Sequence, residues 1–97
     1  MPRAARIDYP DLLQHVMVRG IEKRDIFSDD TDRTSFLERF AFLLQKMKVD
    51  CFAWVLMSNH AHLLLRPSTE KLATFMGRLL TGYAMTFNLR QIGRAHV

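Results

Sequence analysis

The stretch CFAWVLMSNHAHLLLRP, residues 51–67, decides the fold. Its first half, Cys51 to Met57, is an unbroken apolar run rich in strand formers and bounded by polar residues on both sides. Such a run predicts a central strand, covered on both faces. Ser58-Asn59 then supplies a tight turn, and His60 to Arg66 reads as the returning strand of a hairpin that Pro67 ends. Side chains two apart on a strand point to the same face. His60 and His62 therefore project side by side immediately after the turn, with apolar neighbours to hold them.

Upstream of this hairpin, Ser28-Asp29-Asp30-Thr31-Asp32 clusters helix-capping residues, with acids where the helix dipole favours them. The helix runs through Lys48, its apolar positions Phe36, Leu37, Phe40, Leu44 and Met47 recurring at three- and four-residue spacing. Before it, Leu13 to Arg19 alternates as a strand, Gly20 breaks it, and Ile21 to Phe27 forms a charged loop or short hairpin arm. Residues 1–10 read as a lead-in. Downstream, Ser68 or Thr69 is placed to cap a second helix. Its stripe is Leu72, Phe75, Met76, Leu79, Leu80, Tyr83 and Phe87, and Gly77 and Gly82 weaken it or permit close packing. Residues 91–97 show no element of their own. The order β-α-β-β-α gives an α+β fold: a ferredoxin-like sandwich, with an antiparallel sheet carrying both helices on one face. That arrangement calls for one more strand after the second helix, where this sequence stops.

The chain of 97 residues supports one domain, residues 1–97. Hydrophobic residues make up 48% and charged residues 25%, a globular balance. Fourteen Lys and Arg against ten Asp and Glu give a net charge of +4. That excess favours phosphate-bearing partners only weakly. The lone Cys51 lies in an apolar run and reads as a buried thiol, which fits a reducing, cytoplasmic setting. Neither a membrane-spanning segment nor a signal peptide is visible.

Two imidazoles on one strand face can each give a nitrogen to one divalent metal, and Mn²⁺ suits imidazole better than Mg²⁺ does. The same pair can equally be half-buried histidines bonded to backbone. No third ligand is evident nearby. Arg19, Lys23 and Arg24 flank the loop after the first strand and Arg66 ends the histidine-bearing one. If those strands are adjacent, the four cluster at a sheet edge where they could contact phosphates or unpaired bases. The plain alternative is surface charge, diluted by Glu22 and Asp25. Tyr83 is a tempting nucleophile for a phosphodiester, yet it falls on its helix's apolar stripe and reads as core with its hydroxyl at the rim. Phe36, Phe40, Phe52, Trp54 and Phe75 read as core, and Met57, Met76 and Met85 as filler.

Taken together, these segments resemble a known family. His15-Val16-Met17-Val18-Arg19-Gly20 resembles its HVxxRG strand, and Asp25 to Asp32 its IF-x-D-x-D segment, followed by Phe36-Leu37. Val55 to Leu65 is similar to V-L-M-x-N-H-x-H-L-L, and Tyr83 to Asn88 to a helical Y-x-x-x-F-N. The family is the IS200-like single-tyrosine transposases of the HUH type, in particular the REP-associated ones, and the likeness runs from about Arg6 to about Arg90. It implies a divalent metal, Mg²⁺ or Mn²⁺, on His60 and His62, and recognition of single-stranded or hairpin DNA. It also implies strand cleavage and transfer through a tyrosine that forms a 5′-phosphotyrosine link. In the family that tyrosine lies in a later helix, Y-I-x-x-N-P, with the third metal ligand four residues on. This sequence has no such segment, so the resemblance implies a truncated chain without its nucleophile, Tyr83 matching a different position. A truncated sheet exposes an edge, and a homodimer is then expected. A non-enzymatic nucleic-acid-binding module and an inactive transposase remnant are the rival readings.

Overall fold

The computed structural model describes residues 11–20, 24–69 and 71–95, with residues 86–95 as backbone only. Its elements are β1 (Gln14–Arg19), α1 (Asp30–Lys46), β2 (Val49–Leu56), β3 (His60–Pro67) and α2 (Leu72–Ala95). The three strands form one antiparallel sheet in the order β1-β3-β2. This is the α+β arrangement expected, and it is compatible with a ferredoxin-like fold. The expected lead-in over residues 1–10 and residues 21–23 of the expected loop lie outside the described residues.

The sheet departs from expectation in its centre. β3, not the apolar run of Cys51 to Met57, is the middle strand. β2 is an edge, where Phe52, Trp54 and Val55, like Met57 just after it, are about half exposed. The run is continuously apolar without being covered on both faces. A register shift between Cys51 and Ala53 also breaks its alternation. β3 alternates cleanly instead. Ala61, Leu63 and Leu65 are fully buried, and His60, His62 and Leu64 between them are half-buried. That is the signature of a strand with one packed face and one open face.

The packed face meets both helices. Phe36, Phe40 and Leu43 of α1 join Leu72, Phe75, Met76, Leu79 and Tyr83 of α2 over Ala61, Leu63 and Leu65. Aromatic rings stitch the helices edge to face: Phe40 against Phe75 at 6.1 Å and Phe36 against Tyr83 at 5.4 Å between centroids. Of the residues read as core, Phe52 and Trp54 are exposed, as are Met57 and Met85; Met76 is buried. Cys51 is half-buried, with its thiol pushed up by burial.

Local capping explains the helix limits. Asp29 is the N-cap of α1 and accepts from the Asp32 amide at 3.1 Å, while the buried Asp32 carboxylate accepts from the Ser28 amide at 2.7 Å. The first bond satisfies an orphan amide of the helix's first turn and the second ties the residue before the cap to that turn. α1 closes at Lys46, two residues before the expected end, because Lys48 takes a left-handed φ of 55° that turns the chain into β2. The Ser68 hydroxyl donates to the Lys48 carbonyl at 2.8 Å rather than capping α2, which opens after Lys71. α2 continues to Ala95, through residues 91–95 that carried no apolar periodicity to announce a helix. Among the described residues no strand follows it.

Candidate functional site

The open face of the sheet carries the histidines. Register places Arg19 opposite His60, and His62 between Met17 of β1 and Val55 of β2. The two imidazole centroids are 5.0 Å apart, with planes at 85°. Same-face projection, read from their spacing, is what the strand delivers.

The hairpin tip that presents them is fixed from three sides. The Met57 amide closes the turn onto the His60 carbonyl at 2.8 Å. The Ser58 carbonyl accepts from the Ile26 amide at 2.8 Å and the Phe27 amide at 3.1 Å, and the Asn59 carbonyl from the Gly20 amide at 3.0 Å. Gly20 has to be glycine: a Cβ there would run into the carbonyl oxygen of Arg24. The segment before α1 is itself braced, since the Tyr83 hydroxyl donates to the Ile26 carbonyl at 2.5 Å.

Hydrogen bonds orient the rings. His60 Nδ1 lies 2.8 Å from Asn59 Oδ1. An amide oxygen only accepts, so His60 donates from Nδ1, and a neutral ring donating there has its lone pair on Nε2. His62 Nδ1 lies 3.0 Å from Nε2 of His15, on β1. The role of His15 was not legible from its position in the sequence. The signal was its strand: β1 alternates, and His15, Met17 and Arg19 share the exposed side.

Each of the two imidazoles carries a ring nitrogen of the kind that ligates metals. Among the described residues no group of three or more His, Cys, Asp or Glu side chains is arranged to hold an ion. Two imidazole nitrogens would supply only part of a divalent ion's ligand set, the remaining positions falling to water, phosphate or ligands outside the described residues.

The basic residues separate into two places. Arg19 stands beside the histidines, its Nη2 donating to the Met17 sulfur at 3.4 Å. The exposed Arg24 has its backbone against Gly20 and so lies near the hairpin tip. Lys23 lies outside the described residues. Arg66 sits at the far end of β3, about 20 Å along the strand by its rise. It pairs there with Asp50 at 3.1 Å and Asp11 at 4.0 Å and lies over the Phe52 ring at 5.2 Å. β1 and β3 are adjacent, as the clustering argument required, but their antiparallel register sends Arg19 and Arg66 to opposite ends.

Tyr83 belongs to the helix-side core at 7% exposure, while the imidazoles stand on the open face. Burial, reinforced by the charge of Asp29 and opposed by Arg33, pushes its phenol up to about 12. A nucleophilic phenol needs to lose its proton near the substrate; this one is held protonated against a carbonyl. The core reading stands.

A family model described as Transposase IS200 like matches residues 8–95, nearly the whole chain. No curated protein and no solved structure is significantly similar to it. Among the described residues no helix is long and apolar enough to cross a membrane.

Proposed function

The chain belongs to the IS200-like transposase family, and from that premise we propose that it binds single-stranded or hairpin DNA on the open sheet face, with a divalent metal held by His60 and His62. The carrying observation is the pair of imidazoles on that face, one with its Nδ1 2.8 Å from the Asn59 side-chain oxygen. When bound, Mn²⁺ or Mg²⁺ would polarise the scissile phosphate. Arg19 and Arg24 contact backbone phosphates beside the histidines, and Arg66 a phosphate farther along the strand; Lys23 is proposed as a further phosphate contact. The HVxxRG and N-H-x-H segments favour the REP-associated type within the family. Cleavage and strand transfer go through a tyrosine, and Tyr83, buried with its hydroxyl engaged, is not that residue. These 97 residues contain no Y-I-x-x-N-P segment, and Tyr83 is not assigned the role of nucleophile. A second copy pairs along an exposed sheet edge.

Covalent trapping tests this reading. The protein is mixed with labelled hairpin DNA carrying single-stranded flanks and Mn²⁺, then run on denaturing and native gels, beside His60→Ala, Tyr9→Phe and Tyr83→Phe variants. The expected result is hairpin binding without a covalent adduct. An adduct lost in His60→Ala and in one of the tyrosine variants identifies that tyrosine as the nucleophile and overturns this expectation. Absence of hairpin binding overturns the DNA reading.

A further inference from the structure

We propose that His15 is a positioning residue for His62: its Nε2 accepts the His62 Nδ1 proton and thereby leaves His62 Nε2 as a metal-binding lone pair. The inference rests on the reading of His60 and His62 as metal ligands and adds a residue to that site.

The geometry identifies the contact as a hydrogen bond. The His15 and His62 rings are nearly parallel, at 7°, with centroids 5.2 Å apart, while the facing nitrogens are 3.0 Å apart. The centroid separation exceeds the nitrogen gap by about the two ring radii, so the nitrogens lie on the line between the centroids. The rings meet edge to edge in one plane, not face to face. Their facing nitrogens are aimed at each other and do not converge on a common point outside the pair, as two ligands of one ion would. This geometry makes His15 a partner of a ligand and not itself a ligand.

The metal reading then selects the direction. A neutral imidazole has one N–H and one acceptor nitrogen, so one ring donates here and the other accepts. If His15 donated, His62 would accept at Nδ1 and carry its own proton on Nε2, and neither nitrogen could ligate. If His62 donates, its Nε2 is free. Only the second arrangement serves a metal, and it matches His60, whose Nδ1 proton goes to Asn59. Both imidazoles then present Nε2 with Nδ1–H held by an outer acceptor. Such outer partners fix tautomer and ring orientation, and losing one typically weakens metal binding by about 10–100-fold.

The test joins two measurements on wild type, His15→Ala, His15→Gln and His62→Ala. Long-range proton–nitrogen NMR of the metal-free protein, with the imidazoles neutral, reads the His62 tautomer. Calorimetric titration with Mn²⁺ reads affinity. His62 is expected as the Nδ1–H tautomer in wild type and as a mixture in His15→Ala, with Mn²⁺ affinity down about 10–100-fold. Gln restores both, because its side-chain oxygen can take the place of Nε2. A wild-type Nε2–H tautomer, or unchanged tautomer and affinity in His15→Ala, overturns the proposal. A loss as complete as that in His62→Ala, without rescue by Gln, would make His15 a ligand and overturn it as well. If wild type binds no Mn²⁺, the metal reading fails, and the tautomer data alone still decide whether His15 orients His62.

Discussion

Tyr83→Phe isolates one hydroxyl. The ring keeps its contacts with Phe27 at 5.6 Å and Phe36 at 5.4 Å, so the core is not emptied. What disappears is the 2.5 Å hydrogen bond to the Ile26 carbonyl. A net intramolecular hydrogen bond contributes about 1 kcal/mol, rising to about 3 kcal/mol where the abandoned carbonyl stays dry. For a domain of this size each 1 kcal/mol lowers Tm by roughly 4–8 °C. Thermal unfolding followed by circular dichroism should show that drop. The phenol adds a pH signature. Its ordinary value is 10 and burial pushes it up to about 12. Below that window both states hold the proton. Within it the unfolded chain ionises while the folded chain does not, so stability falls as pH rises. The variant, lacking the phenol, should lose stability less steeply across the same range. An unchanged Tm with superimposable alkaline limbs would refute the bracing role of Tyr83. An unchanged Tm together with loss of a DNA adduct would return it to candidacy as nucleophile.

Gly20→Ala should destabilise by about 1–3 kcal/mol, the usual cost of forcing a group into filled space, because the new methyl meets the Arg24 carbonyl; chemical denaturation measures it. Asp32→Ala should cost about 1–3 kcal/mol because the Ser28 amide loses its charged acceptor, and an unchanged denaturation midpoint would show that the amide finds another partner. Trp54→Lys, placing a charge on the exposed edge β2, should reduce self-association in sedimentation equilibrium; a wild type that stays monomeric at high concentration would contradict the second-copy pairing.

Local signals were readable where the determinants are local. The Ser28–Asp32 cluster announced the start of α1 because caps are made by neighbouring side chains and amides. The spacing of Leu72, Phe75, Leu79 and Tyr83 gave the buried face of α2, and with it the structural role of Tyr83. The two-residue spacing of His60 and His62 gave their common face. Strand order was not readable from hydropathy. The apolar run of β2 looked central, and only pairing of β1 with β3 puts His60–Pro67 in the middle. The same long-range register separates Arg66 from Arg19 and brings His15 to His62 across 47 residues of sequence. The far end of α2 lacked the periodicity that would have announced it, and the exposure of Phe52 and Trp54 follows from their edge position.

Fluorescence anisotropy of a labelled hairpin with single-stranded flanks, at one stated salt concentration, tests the central claim most directly. The titration is run with and without Mn²⁺, against a duplex of matched length, on wild type and on His60→Ala. Preference for the flanked hairpin is predicted, with an increase in affinity on adding Mn²⁺ that His60→Ala abolishes. Equal binding of hairpin and duplex, indifferent to Mn²⁺ and to His60, would contradict it.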